Sequence, residues 1–376
     1  MEEIVGTQIS MSLPELDESD IQAVVRVLRS NRLALGPQTA EFERSIARYV
    51  DVGHAVAVSS GTAALHLIVK ALGIGSGDEV LVPSFTFAAS VNALLYEGAI
   101  PVFVDVTPDT YNLDPGDLER KVTARTKAIM AVDVFGHPAD WDEILRIAGK
   151  NGLKVIDDSC EALGAEFRGR RLGGLGDAGS FAFYPNKQIT TGEGGMITTN
   201  DGKLASLCRS LRNQGRDEMS AWLEHPRLGY NYRMDEMSAA LGVSQMKRID
   251  EFLERRERVA RFYTEQLEKF DWVRPPVVKA HVRMSWFVYV VTLADGLRRD
   301  EVMQRIEAEG VPVRGYFSPV HLQPYIQELF PVHDGGLPVT ESVARRTIAL
   351  PFHNNLTESE IQQVVMTLGK AVSQTS

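Results

Sequence analysis

Two cysteines, Cys160 and Cys208, are too few to build a disulfide framework in a chain of 376 residues. No apolar run is long enough to span a bilayer, and the opening residues MEEIVGTQIS have neither the basic start nor the apolar core of a secretory signal. A soluble cytoplasmic protein is the expectation. Positive charge is also scarce: 40 Lys and Arg stand against 50 Asp and Glu, a net −10. That balance argues against a general affinity for nucleic acid or an anionic membrane surface, while allowing one local anion pocket. Low-complexity tracts, internal repeats and metal-ligand spacings are all absent. With 44% hydrophobic and 24% charged residues, the composition is that of an ordinary globular protein. Its length suits a large domain with a smaller partner.

Short apolar runs alternate with helical stretches between His54 and about Asn200. They are HAVAV (54–58), EVLVP (79–83), IPVFVDV (100–106), AIMAVDVFG (128–136), LKVID (153–157), SFAFY (180–184) and MITT (196–199). Runs apolar on both faces read as strands of a parallel sheet, and TAALHLIVKALG (62–73) is the kind of helix that covers one. The fold expected is a large doubly wound α/β domain. Helices over 17–30 and 39–50 precede it, and one long helix runs from Asp235 to about Glu268. A turn at Pro275-Pro276, the strand WFVYVVTL (286–293) and the helix over 298–310 then form a smaller α+β domain. The division is placed at 12–250 and 251–376.

In open α/β sheets, ligands bind beyond the carboxyl ends of the strands. Three places there can carry chemistry. Ser59-Ser60-Gly61-Thr62 joins the first strand to a helix, where small residues and the helix dipole suit an oxyanion; by itself the stretch reads equally as an ordinary capped helix start. Asp157-Asp158 ends LKVID, and strand alternation lets at most one of the two face the crevice. A buried carboxylate there needs a cationic partner, such as a pyridinium nitrogen, although by itself the pair reads first as a helix cap. Lys187 is the only Lys or Arg between Arg171 and Lys203, and it sits between Pro185 and the run Gly192-Glu193-Gly194-Gly195. Placed against a second cation, its amine would act as a nucleophile. A phosphate cradle, a ring-nitrogen carboxylate and an isolated lysine, in that order, are the contacts pyridoxal phosphate requires.

From about Leu13 to Thr367 the sequence resembles the DegT/StrS nucleotide-sugar aminotransferases, members of the fold-type I pyridoxal-phosphate enzymes. The resemblance rests on LGPQTAEFE (35–43), AVSSGTAALHL (57–67), VPSFTFAASVNAL (82–94), VIDDSCEALGA (155–165), FYPNKQITTGEGGMITTND (183–201) and LGYNYRMDEMSAALG (228–242). It implies that Lys187 bonds to the cofactor and moves the proton between substrate and cofactor carbons. It also implies that Asp158 keeps the pyridine nitrogen protonated, that Phe87 stacks on the ring, and that Gly61 and Thr62 cradle the phosphate. Asn231 corresponds to the asparagine that reaches the phosphate from a neighbouring subunit, so a homodimer with shared sites is implied. The implied reaction is ping-pong transamination from glutamate to a nucleotide-linked keto sugar, with pyridoxamine phosphate as the amino form of the cofactor. NKQITTGEGGMITTN is most similar to members that aminate carbon 4 of a 4-keto-6-deoxy sugar.

Three positions depart from the family pattern. Ala182 replaces a common phosphate-binding serine, and Ser180, on the same strand face, is the candidate substitute. Glu161 stands where Gln or His is common near the phenolic oxygen of the cofactor, and Asp133 stands where His is common; Asp133 and His137 read as loop structure. His66 reads as helix packing, and Cys160 as a small buried hydrophobe. Lys187 argues against the pyridoxamine-dependent sugar dehydratases, which carry histidine there. A cofactor-binding regulatory protein without turnover is the rival from another class. A lyase acting on small amino acids would need an arginine clamp for the substrate carboxylate, with Arg233 and Arg314 as candidates.

Overall fold

The computed structural model describes residues 9–217, 224–330 and 336–375. Two helices, α1 (Glu18–Arg29) and α2 (Pro37–Val50), come first. Then β1 (His54–Val58), α3 (Gly61–Ala71), β2 (Glu79–Pro83), α4 (Ala88–Leu95), β3 (Ile100–Val104), α5 (Pro115–Arg120), β4 (Thr126–Val132), α6 (Trp141–Asn151) and β5 (Lys154–Asp158) alternate. A short ribbon of β6 (Glu166–Phe167) and β7 (Arg170–Arg171) intervenes before β8 (Ala178–Ala182) and β9 (Gly195–Thr199).

β1 to β5, β8 and β9 form one sheet in the order β1-β9-β8-β5-β4-β2-β3. Every strand runs the same way except β9, which is antiparallel to both neighbours. It can reverse because a loop, with no crossover helix, joins it to β8. Alternation along β4 shows why the strands are apolar throughout. Ala128 and Met130 pack into the cluster with α3, α4 and α7 (Gly202–Arg212), while Ile129 and Ala131 pack into the cluster under α6. The large doubly wound α/β expectation holds, with the single reversed strand added to it.

The helix expected from Asp235 to Glu268 is two helices, α8 (Glu236–Met246) and α9 (Ile249–Leu267). They break at Lys247-Arg248. Arg248 leaves helical geometry at φ −117° and ψ 8°, and its guanidinium meets Asp17 Oδ2 at 2.8 Å and Asp20 Oδ2 at 2.6 Å at the start of α1. The helical pattern in the sequence continues across this joint, so only the tertiary ion pairs reveal it.

Beyond α9 come β10 (Val273–Arg274), β11 (Val282–Arg283), β12 (Tyr289–Leu293), α10 (Arg299–Ala308), α11 (Pro324–Leu329), α12 (Pro338–Ala344), β13 (Thr347–Leu350) and α13 (Glu358–Ser373). β10, β12 and β13 make an antiparallel sheet, and α10 and α13 pack with it in one core. α9 serves two cores: Ile249, Phe252 and Leu253 pack under the large sheet, while Val259, Ala260, Tyr263 and Leu267 belong to the C-terminal core. One helix therefore ties both parts together.

Candidate active site

The carboxyl ends of β1, β2, β5 and β8 open onto a cavity of about 430 Å³. Six residues singled out in the sequence line it: Gly61, Thr62, Phe87, Asp158, Glu161 and Lys187. They come from four separate turns, which the sheet gathers at one edge as its topology requires.

At the start of α3, Ser60 caps the helix by accepting from the Ala63 amide at 3.1 Å. The amides of Gly61 and Thr62 then have no intrahelical acceptor and point, with the helix dipole, at the cavity. Glycine is obligatory at 61, because a Cβ there would lie 2.7 Å from Ala182 Cβ and 3.0 Å from Cys160 Sγ. Behind it, β9 begins where a side chain on Gly195 would strike the Ser60 carbonyl at 2.3 Å. The Gly192-Glu193-Gly194-Gly195 run thus lets two backbones approach closely.

Asp157 and Asp158 point to opposite faces of β5. Asp158 forms the cavity floor, where Ser90 Oγ donates to its Oδ2 at 2.7 Å and the Cys160 amide donates to Oδ1 at 3.3 Å. Asp157 faces the other way and shares Ser159 with Asp133: the Ser159 hydroxyl lies 2.5 Å from Asp157 Oδ1 and 2.8 Å from Asp133 Oδ2. Burial and mutual repulsion push Asp133 well above the usual carboxylate range. Asp133 also accepts from the Ala139 amide and the Trp141 indole, and His137 lies against Asn112 and Pro138. Both belong to loop structure outside the cavity.

Lys187 follows β8 through a tight turn in which its amide donates to the Tyr184 carbonyl at 2.9 Å. Its amine lies 3.7 Å from the centre of the Phe287 ring and 3.9 Å from Glu161 Oε1. An acid, and not the second cation that the sequence allowed, therefore faces the lysine, and no other Lys or Arg lines the cavity among the described residues. Glu161 is anchored by the Phe135 amide, which donates to Oε2 at 2.8 Å. Burial pushes its carboxyl above the ordinary value, against the opposing effect of Lys187.

Ser180 and Asn231 lie elsewhere. The Ser180 hydroxyl is fully buried behind Asp158, 3.5 Å from both Asp158 Oδ1 and Cys160 Sγ, and only Ala182 from that strand face lines the cavity. Asn231 is exposed on a segment held by the stacked Tyr230 and Tyr232 rings. Cys160 lines the floor, and burial pushes its thiol well above the ordinary value, as suits packing rather than reaction. Arg233 donates to Asn213, and the exposed Arg314 pairs with Glu307; neither lines this cavity. His66 bonds Glu97 and Tyr232 within the fold. No group of three metal-type ligands occurs among the described residues.

The sequence reading missed Ser90, Phe287, Tyr316 and Phe317. Ser90 lies one helical turn beyond Thr86, whose hydroxyl it meets at 3.0 Å, a spacing that was visible. The other three come from the C-terminal part, where nothing local marks them.

This donor set fits pyridoxal phosphate. Amides at a helix start beside an obligatory glycine suit the phosphate, the buried carboxylate suits the ring nitrogen, and the amine on the wall suits the aldehyde. Fold and site together define a pyridoxal-phosphate enzyme of the aminotransferase class. The chain belongs to the DegT/DnrJ/EryC1/StrS aminotransferase family, whose profile matches residues 14–369. It is 42% identical over 370 residues to a GDP-perosamine synthase of Caulobacter vibrioides, covering 97% of this chain and 98% of that one. It is 38% identical to a dTDP-3-amino-3,4,6-trideoxy-alpha-D-glucose transaminase of Streptomyces venezuelae, covering 93% of this chain and 91% of the relative. The crystal structure of S. venezuelae DesV superposes with a TM-score of 0.89 at 36% identity, covering 96% of this chain and 98% of that one. The protein is a sugar aminotransferase that uses pyridoxal phosphate.

Proposed function

We propose that this enzyme moves an amino group from glutamate to carbon 4 of a nucleotide-linked 4-keto-6-deoxy sugar, working as a cytoplasmic homodimer. The observation that carries the reading is the Lys187 amine, set over Phe287 in the same cavity as Asp158 and the α3 amides. The bound cofactor supplies an aldehyde to receive nitrogen and a ring to take up electrons. Gly61 and Thr62 would hold its phosphate, Asp158 would keep its ring nitrogen protonated, and Phe87 would cover the ring. The Lys187 amine would take up and hand back the proton of the substrate carbon. Ser180 backs Asp158, and Glu161 would meet the phenolic oxygen.

Carbon 4 follows the resemblance carried by NKQITTGEGGMITTN, and a nucleoside diphosphate carrier follows the likeness to the GDP-perosamine synthase and to the dTDP-sugar transaminase. A second copy, reaching in with Asn231, is supported by apolar side chains left in the open: Leu228 is 79% exposed beside that segment, and Phe87 is 64% exposed at the cavity mouth. Residues 12–250 would carry the cofactor, and 251–376 supply Phe287, Tyr316 and Phe317 to the cavity wall. Free Cys160 and Cys208 suit a reducing compartment.

The test incubates the enzyme with glutamate and either GDP- or dTDP-linked 4-keto-6-deoxy sugar. Mass spectrometry and proton NMR of the product then give the donor, the nucleotide and the carbon aminated. An amino group at carbon 3, or no turnover with glutamate, overturns the corresponding part of the proposal.

A further inference from the structure

Arg256, on α9, is 3% exposed and forms no ion pair among the described residues. Its guanidinium makes hydrogen bonds to three backbone carbonyls: Nη1 reaches those of Trp286 at 2.9 Å and Phe287 at 3.2 Å, Nη2 reaches that of Lys187 at 3.0 Å, and the buried Nε has no partner among the described residues. The Phe352 ring lies 5.6 Å from the guanidinium carbon. Burial pulls the group down to about 10, so it stays charged at neutral pH. A buried cation that touches no acid, with Glu15 attracting it only from beyond ion-pair distance, adds little to stability, since an apolar side chain of that volume would pack there with no desolvation cost. The three carbonyls explain its presence another way.

Lys187 has a long, rotamer-rich side chain on a loop, and such an amine reacts well only when its anchor and its surroundings are both held. Arg256 holds both. The carbonyl it grips on one side belongs to Lys187 itself, and the one on the other side belongs to Phe287, whose ring lies 3.7 Å from the amine. The next residue repeats the tie, for Gln188 Nε2 donates to the Glu161 carbonyl at 2.7 Å and to Ser285 Oγ at 3.0 Å. Only a planar fork spans carbonyls from two segments at once, and a lysine ammonium does so poorly. We propose that Arg256 is a positioning residue, which fixes the Lys187 amine against its aromatic platform by gripping the Lys187 and Phe287 carbonyls on one guanidinium. The proposal rests on the reading that Lys187 carries the cofactor.

The experiment compares wild type, Arg256→Met and Arg256→Lys. Three things are read: the rate at which cofactor-free enzyme links pyridoxal phosphate at Lys187, kcat and KM for glutamate, and the melting temperature. In Arg256→Met the expected results are a kcat lower by on the order of 10²-fold with KM little changed and slower linkage. Arg256→Lys keeps the charge and loses the fork, so its linkage rate and kcat fall part of the way. If Arg256→Met melts earlier but keeps the wild-type linkage rate and kcat, the residue is structural and the proposal is wrong. If Arg256→Met does not fold, the proposal stands or falls on Arg256→Lys, where a wild-type linkage rate rejects it. Failure of the wild type to link cofactor at Lys187 removes the underlying reading instead, so the two failures are distinguishable.

Discussion

Gly61→Ala is the sharpest single test of the phosphate cradle, because the contacts it creates can be read directly. The new methyl group would lie 2.7 Å from Ala182 Cβ, 3.0 Å from Cys160 Sγ and 3.5 Å from Ala182 Cα. Carbon atoms at rest sit about 3.5–4.0 Å apart, so the start of α3 must retreat from β8 by roughly 1 Å. Overpacking of this kind costs about 1–3 kcal/mol of stability. The same movement carries the Gly61 and Thr62 amides away from the phosphate they are proposed to hold, and a loss of about 1.4–2.8 kcal/mol there weakens cofactor binding roughly 10- to 100-fold. Ala182→Gly removes the nearest obstacle and by itself costs about 0.5–1 kcal/mol as a glycine within a strand. In the double variant the two costs should not add, and the coupling should reach about 1 kcal/mol in favour of the pair. Urea melts of cofactor-free protein give the stability half, and absorbance titration with pyridoxal phosphate gives the binding half. Wild-type affinity in Gly61→Ala, or strict additivity in the double variant, would falsify the close-packed cradle.

Lys187→Ala should never form the yellow covalent complex, although it still binds the cofactor; an absorbance spectrum before and after glutamate decides this. Ser90→Ala removes the hydroxyl from Asp158 and should weaken cofactor binding by about 1.5–3 kcal/mol, as expected for a hydrogen bond to a charged group; a titration matching wild type would refute the assigned contact. The raised value at Asp133 means that the folded chain keeps a proton there which the unfolded chain releases above about pH 4, so native stability is lost as pH rises from there toward the folded value. Asp133→Asn keeps an acceptor for Ala139 and Trp141 and offers an amide to Ser159, so its melting temperature should gain on wild type as pH goes from 5 to 8, and a constant difference across that range counts against the idea. Finally, mixing Lys187→Ala with Asn231→Ala chains should restore part of the transaminase activity that neither has alone, because one hybrid site per dimer is intact; no recovery on mixing argues against sites shared between subunits.

Much of the site was legible because its residues follow strand ends. Thr62 after β1, Phe87 after β2, Asp158 at the end of β5 and Lys187 after β8 each stand where an alternating α/β chain puts its ligand-facing turns, and the local patterns marked those turns. The α/β class and the apolar strands followed from patterning that depends only on near neighbours. What stayed hidden depends on residues far apart in the chain. The break between α8 and α9 answers to Asp17 and Asp20 at the start of α1, more than two hundred residues away, so helical periodicity runs straight across it. β9 reads in sequence like any other strand, and only its seat between β1 and β8 sets its direction.

The neighbour of Lys187 was decided in the same way. The sequence allowed a second cation beside the amine, while the fold brings Glu161, Phe287 and, behind the backbone, Arg256. Which group meets a titratable side chain is a matter of three-dimensional packing, and neighbours in space set its chemistry. The sequence by itself determined the class of fold, the order of the proposed cofactor contacts and the lysine proposed to carry the chemistry, because these are written in local pattern and strand-end position. The tertiary structure alone decided how that lysine is held, which acid faces it and which ring lies against it, because those contacts join segments that no local signal connects.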